Sequence, residues 1–88
     1  MAITPTLMRE IKIQIDEIYI PMKRRSTVDP QRVESLAEDI LENGQKAPIW
    51  VRRDDTRYVL VEGLHRLEAC KTLGEQTIKA VLVQARRF

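Results

Sequence analysis

One cysteine, one histidine and one tryptophan occur in the 88 residues, and aromatic side chains make up only 5% of them. The lone Cys70 excludes an internal disulfide and any cysteine-based metal cage, and with a single histidine to join it a zinc site lacks a ligand set. Leu67 and Leu73 share an apolar helical spacing with Cys70, so the thiol is expected as a buried small hydrophobe. Aromatics are not interleaved among the basic residues, which leaves a base-stacking surface for single strands unsupported. No apolar run approaches the ~20 residues that cross a bilayer, and the N-terminus has no signal-peptide core. The expectation is a cytoplasmic protein with no membrane partner.

What is present fits one small domain spanning residues 1–88. An apolar fraction of 43% permits a single core, and a charged fraction of 32% gives a soluble surface. The net charge of +2 does not demand a bulk polyanion partner. It is unevenly divided: residues 1–44 carry six basic and eight acidic side chains, residues 45–88 nine and five. Local clusters of cations therefore matter more than the total.

Ile11, Ile13 and Ile15 alternate with Lys12 and Gln14, the period of a half-buried strand. Ile18–Pro21 continues extended, because a residue before proline is pushed out of the α region. The polar, cationic run from Met22 to Val28 has no apolar period and is expected as an exposed loop. Asp29-Pro30 then signals a helix start, the carboxylate capping free N–H groups and the proline supplying a suitable φ. Val33, Leu36, Ala37, Ile40 and Leu41 fall on one helical face, with Gly44 as the stop. Pro48–Val51 and Tyr58–Val61 read as strands joined by the charged connector Arg52–Arg57, whose three arginines are explained by solubility. Trp50 is expected in the core or on a half-buried edge. A second helix follows Gly63 and stops near Leu73-Gly74, and Thr77–Val83 forms a last strand. The result is an α+β domain in the order β-α-β-β-α-β, two main helices packed on a mixed sheet.

The run Val59-Leu-Val-Glu-Gly-Leu-His-Arg-Leu-Glu-Ala69 carries the chemistry. An apolar strand passes through one glycine directly into a helix with His65 and Arg66 in its first turn. Free backbone N–H groups and the positive end of the helix dipole make such a turn an anion site, and Gly63 allows close approach without a Cβ. His65 adds a titratable donor and Arg66 a fixed, fork-shaped cation. Glu62 is the acidic residue beside the turn, and reads either as a helix cap or ion-pair partner, or as a catalytic or metal-holding carboxylate. Lys23, Arg24 and Arg25, placed just before a capped helix, are a solvated loop or a second phosphate-binding corner.

The order of these signals resembles the ParB/sulfiredoxin superfamily, specifically the ParB-like N-terminal domain, from about Ile11 to Val83. The likeness rests on Ile15-Asp-Glu-Ile18, the helix from Val33 to Gly44, Pro48-Ile-Trp-Val51, Glu62–Ala69, Leu73-Gly74 and Ile78-Lys-Ala-Val81. It implies a nucleoside triphosphate pocket, CTP as in partition proteins or ATP as in sulfiredoxin, with Mg2+ as companion ion. The phosphates would face Gly63, His65 and Arg66, opposed by Arg24 or Arg25, with Arg32 and Ser35 on the first turns of the helix after Asp29. The implied function is a nucleotide-binding domain of plasmid or chromosome partition, or an accessory DNA-maintenance regulator. Its nucleotide state would control association with a partner protein or with a second copy as a homodimer.

Departures from the family pattern shape that expectation. Sulfiredoxin has its catalytic cysteine where Leu64 stands, so the resemblance does not extend to sulfinic-acid reduction. Partition proteins continue into a helix-turn-helix, so these 88 residues are expected to touch DNA without reading its sequence, or through a partner. Free-serine kinases of the superfamily carry an acidic residue at the position of Glu62, which keeps phosphotransfer as an alternative with Glu62 as its catalytic group. A nuclease needs clustered carboxylates for its metals, and none cluster near Gly63 in the sequence, although Asp39 is a candidate to converge in space. A binding-only module with a vestigial pocket is the third reading.

Overall fold

The computed structural model describes residues 9–83. Five strands form one mixed sheet in the order β1-β5-β3-β4-β2: β1 (Glu10–Gln14), β2 (Ile18–Tyr19), β3 (Ile49–Asp54), β4 (Arg57–Glu62) and β5 (Thr77–Leu82). β1 runs antiparallel to β5 and β3 antiparallel to β4, while β5–β3 and β4–β2 are parallel. The mixed sheet expected from the sequence is therefore present. Among the described residues no helix is long and apolar enough to cross a membrane.

Among the described residues three α-helices accompany the sheet, α1 (Met22–Arg25), α2 (Pro30–Asn43) and α3 (Leu64–Thr72), and a 3-10 turn at Ile15–Glu17 links β1 to β2. The helix expected after Asp29 forms as the sequence dictates. The Asp29 carboxylate accepts the Gln31 N–H at 3.0 Å and Pro30 occupies the first turn. On α3, Leu64, Leu67 and Cys70 recur every third residue and enter the core with Ile49, Val51, Leu60, Ile78 and Ala80. The Cys70 thiol, 2% exposed, is a packing residue. β3 is extended toward β5 by a side chain, since the Gln45 amide both donates to the Lys79 carbonyl and accepts the Lys79 N–H, each at 2.9 Å.

Three local expectations are corrected. The run from Met22 to Val28 is not a plain loop, because Met22–Arg25 makes one helical turn closed by the Arg24 N–H on the Pro21 carbonyl. A single turn carries no apolar period, so the sequence pattern is blind to it. The charged connector Arg52–Arg57 is mostly strand: β3 runs to Asp54 and β4 starts at Arg57, leaving Asp55-Thr56 as the turn. Arg53 lies over Tyr58 at 4.9 Å and Arg57 over Tyr19 at 4.1 Å, so two of the three exposed arginines of the connector also stack on aromatic rings. Leu41, placed by periodicity on the buried face of α2, is instead 74% exposed. α2 packs chiefly against α3, with Ile40 reaching the core cluster, and its apolar stripe is covered along only part of its length.

Candidate functional site

β4 ends at Glu62, and Gly63 turns the chain into α3 with φ 104° and ψ 31°. Only glycine suits this corner. Its φ is left-handed, and a Cβ there would stand 2.7 Å from Ile49 Cγ2. The first backbone bond of α3 runs from the Leu67 N–H to the Gly63 carbonyl, so the N–H groups of Leu64, His65 and Arg66 precede the helical ladder. No side chain caps them. They form the electropositive end of the helix.

The second corner comes from α1 and the start of α2. His65 Nε2 accepts the backbone N–H of Asp29 at 3.0 Å, which ties the first turn of α3 to the residue capping α2. Because Nε2 is the acceptor, the imidazole carries its proton on Nδ1. Arg24 reaches the same place from α1: one terminal nitrogen donates to the Val61 carbonyl at 2.7 Å and the other pairs with a Glu62 carboxylate oxygen at 3.2 Å. Thr27 closes the bend by donating from Oγ1 to the Arg24 carbonyl at 2.7 Å.

Between these corners lies a pocket of about 430 Å³. Arg24, Arg32, Glu62, Gly63, His65 and Arg66 all line it, so most of the residues singled out in the sequence stand together. Three guanidinium groups and a helix N-terminus face one carboxylate there. Arg66 is half-buried, and its Nε is fully buried with no hydrogen-bond partner. Among the described residues it makes no ion pair. A buried guanidinium N–H left without an acceptor is costly.

Arg25 and Ser35 do not join the pocket walls. Arg25 donates from Nε to the Ile20 carbonyl at 3.0 Å and lies 5.7 Å from the Tyr19 ring centre, because neighbours on a helical turn point about 100° apart. Of the two arginines offered as alternatives, Arg24 therefore faces the turn. Ser35 is exposed on α2, where the pocket-facing ridge is Arg32 and Leu36, one turn apart. Thr27, Leu36 and Leu64 line the pocket without having been singled out for it. Leu36 and Leu64 carry no chemical signal of their own, and Thr27 depends on the α1 turn that periodicity cannot reveal. Among the described residues no three His, Cys, Asp or Glu side chains come together as a metal cluster. Asp39 bonds to Asn43 and Lys46 instead of converging on Glu62.

A family model described as the ParB N-terminal domain matches residues 4–87. The chain belongs to that family. As a ParB N-terminal domain it is 36% identical, over 76 residues, to the probable chromosome-partitioning protein ParB of Helicobacter pylori, covering 85% of this chain and 26% of that protein. The domain thus spans about a quarter of the length of the curated partition proteins it matches. Among solved structures, sulfiredoxin of Arabidopsis thaliana superposes with a TM-score of 0.79 at 28% identity, over 88% of this chain and 86% of that one. The C-terminally truncated chromosome-partitioning protein ParB of Caulobacter crescentus, complexed with CTP-γ-S, gives a TM-score of 0.77 at 24% identity over 89% and 46%. The α+β fold with its five-stranded mixed sheet is that of the ParB/sulfiredoxin superfamily.

Proposed function

We propose that this ParB N-terminal domain binds a nucleoside triphosphate between the Gly63 turn and the α1–α2 bend, and that the bound nucleotide governs its association in chromosome or plasmid partition. The observation that carries the reading is Arg66 Nε, buried and unpaired, in a pocket also lined by Arg24, Arg32 and the uncapped start of α3. Guanidinium forks and free helical N–H groups suit phosphate oxygens, which accept several strong hydrogen bonds each. Relatives support the choice of ligand: the Caulobacter partition protein is complexed with CTP-γ-S, and a free serine kinase of the same fold with AMP.

Each wall has a separate task in this reading. The N–H groups of Leu64, His65 and Arg66 receive one phosphate, and Arg66 and Arg32 hold its neighbours from the flanks. His65 keeps the two corners in register through the Asp29 N–H. Mg2+, carried in with the phosphates, would offset their charge, and Glu62 is the carboxylate positioned to meet it. Isothermal titration of the folded domain with CTP, ATP and GTP in the presence of magnesium tests the proposal. Saturable heat with at least one nucleotide is expected, and its loss in Arg66→Ala. No heat above dilution for any of the three removes the reading.

Glu62 supports a second reading, phosphotransfer, because its carboxylate lines the same pocket and is 69% exposed. A kinase-like site needs a carboxylate close to the phosphates. Phosphate release that disappears in Glu62→Gln while nucleotide still binds would favour this reading; nucleotide bound without turnover in the parent chain leaves the first.

A further inference from the structure

A second hollow lies away from the phosphate-type pocket. It is a groove of about 430 Å³ between α2 and α3, with Val33, Ala37, Leu41 and Leu73 among its apolar walls. It shares no lining residue with the pocket around Gly63. Leu41 stands on the same i, i+4 ridge as Ala37, yet Ala37 is 7% exposed and Leu41 74%. The apolar stripe of α2 therefore runs on beyond the surface that α3 covers.

The rim of the groove is charged with one sign. Glu34 and Glu38 line it from α2 and Glu68 from α3, and no lysine or arginine does. Glu68 is met by Lys71 at 3.5 Å, whereas Glu34 and Glu38 make no ion pair among the described residues. Carboxylates at this rim repel nucleic-acid phosphates and anionic lipid headgroups, so a polyanion does not fit here. Two helices side by side present a trough into which the ridge of a third can settle.

We infer that this groove docks an amphipathic helix of a partner protein, one whose apolar stripe is flanked by lysine or arginine. Apolar side chains at i, i+3 or i+4 and i+7 would cover Val33, Ala37, Leu41 and Leu73, while the flanking cations meet Glu34 and Glu38. A second copy of this chain fits less well. Its exposed apolar residue with flanking cations, Met22 with Lys23 and Arg25, lies on one helical turn of 4 residues, whereas α2 offers 14 residues, about 21 Å of length.

The test uses the full 88-residue chain, 15N-labelled, and a synthetic helix of about 18 residues with leucine on one face and lysine on both flanks. A scrambled peptide of identical composition and a version with glutamate for lysine serve as controls. Amide shifts at Val33, Ala37, Leu41 and Leu73 with the first peptide alone are expected. Leu41→Ser weakens them about tenfold with an unchanged melting temperature, and Glu34→Lys with Glu38→Lys transfers preference to the glutamate peptide. Equal binding of the scrambled or glutamate peptide, shifts confined to other residues, or no shift at about 1 mM peptide overturns the inference. So do the same shifts appearing when the protein alone is concentrated, which would identify a second copy as the occupant.

Discussion

His65 Nε2 accepts the backbone N–H of Asp29 at 3.0 Å, joining the first turn of α3 to the cap of α2 across 36 residues of chain. The bond links both corners of the pocket through one imidazole. His65→Ala returns the Asp29 N–H to water and frees the bend before α2, at a cost of about 1 kcal/mol in stability. Hydrogen exchange at the Asp29 amide should accelerate, and nucleotide affinity should fall with it. An unchanged exchange rate at Asp29 would show that the link does not order the bend.

Arg24 and Glu62 form the pocket's only ion pair among the described residues, at 3.2 Å, with the side chains 32% and 69% exposed. An exposed pair of this kind is weak, on the order of 0.2–1 kcal/mol. If the proposed site holds, a phosphate entering the pocket would compete with Glu62 for Arg24 and be repelled by the carboxylate. Glu62→Gln should therefore raise affinity for magnesium-free tripolyphosphate by about two- to fivefold, read by titration calorimetry. Affinity that falls would instead assign Glu62 a direct part in holding the ligand.

Gly63→Ala tests the turn itself. A Cβ at this site meets Ile49 Cγ2 at 2.7 Å and its Cα at 3.2 Å, on a residue whose φ is +104°. Gly44 also has a positive φ, +78°, but nothing lies within 4 Å of an added Cβ. Gly63→Ala should thus cost at least about 2 kcal/mol by denaturant unfolding, and Gly44→Ala about 1 kcal/mol. Equal losses would mean that backbone conformation alone, and not the approach of β3, demands glycine at position 63.

Asp39 gives the domain an acid-sensitive clasp at the end of α2. The Asn43 amide, 2.9 Å away, and the Lys46 ammonium, 3.1 Å away, hold its carboxyl below the usual value. A group depressed in the folded state contributes stability above its unfolded pKa, and that contribution disappears as pH falls through the folded value. Asn43→Ala with Lys46→Ala should therefore lower the melting temperature at about pH 6 and leave it nearly unchanged at about pH 2. An equal decrease at both values would mean that the two partners act through packing rather than through the carboxylate.

Most of the fold is legible in the sequence because its signals are periodic. The alternating isoleucines of β1, the Asp29-Pro30 start of α2 and the Leu67, Cys70 spacing of α3 each encode an element with its buried face. The Gly63 turn was readable for a different reason: a strand passing into a helix through one glycine leaves few backbone routes. Short-range geometry was not readable. The α1 turn is too brief to show a period, and only its presence decides that Arg24 enters the pocket while Arg25 turns to Ile20 and Tyr19. Leu41 could not be placed from α2 alone, since its exposure depends on where α3 ends.

The most direct measurement follows the backbone amides of the 15N-labelled domain as CTP and magnesium are added. Arg24–Thr27 and Gly63–Arg66 should shift together along one saturation curve, and both sets should stay still in an Arg66→Ala variant that melts within a few degrees of the parent. Movement of one corner without the other, or no movement at about 1 mM nucleotide, would contradict a single phosphate site built from the two.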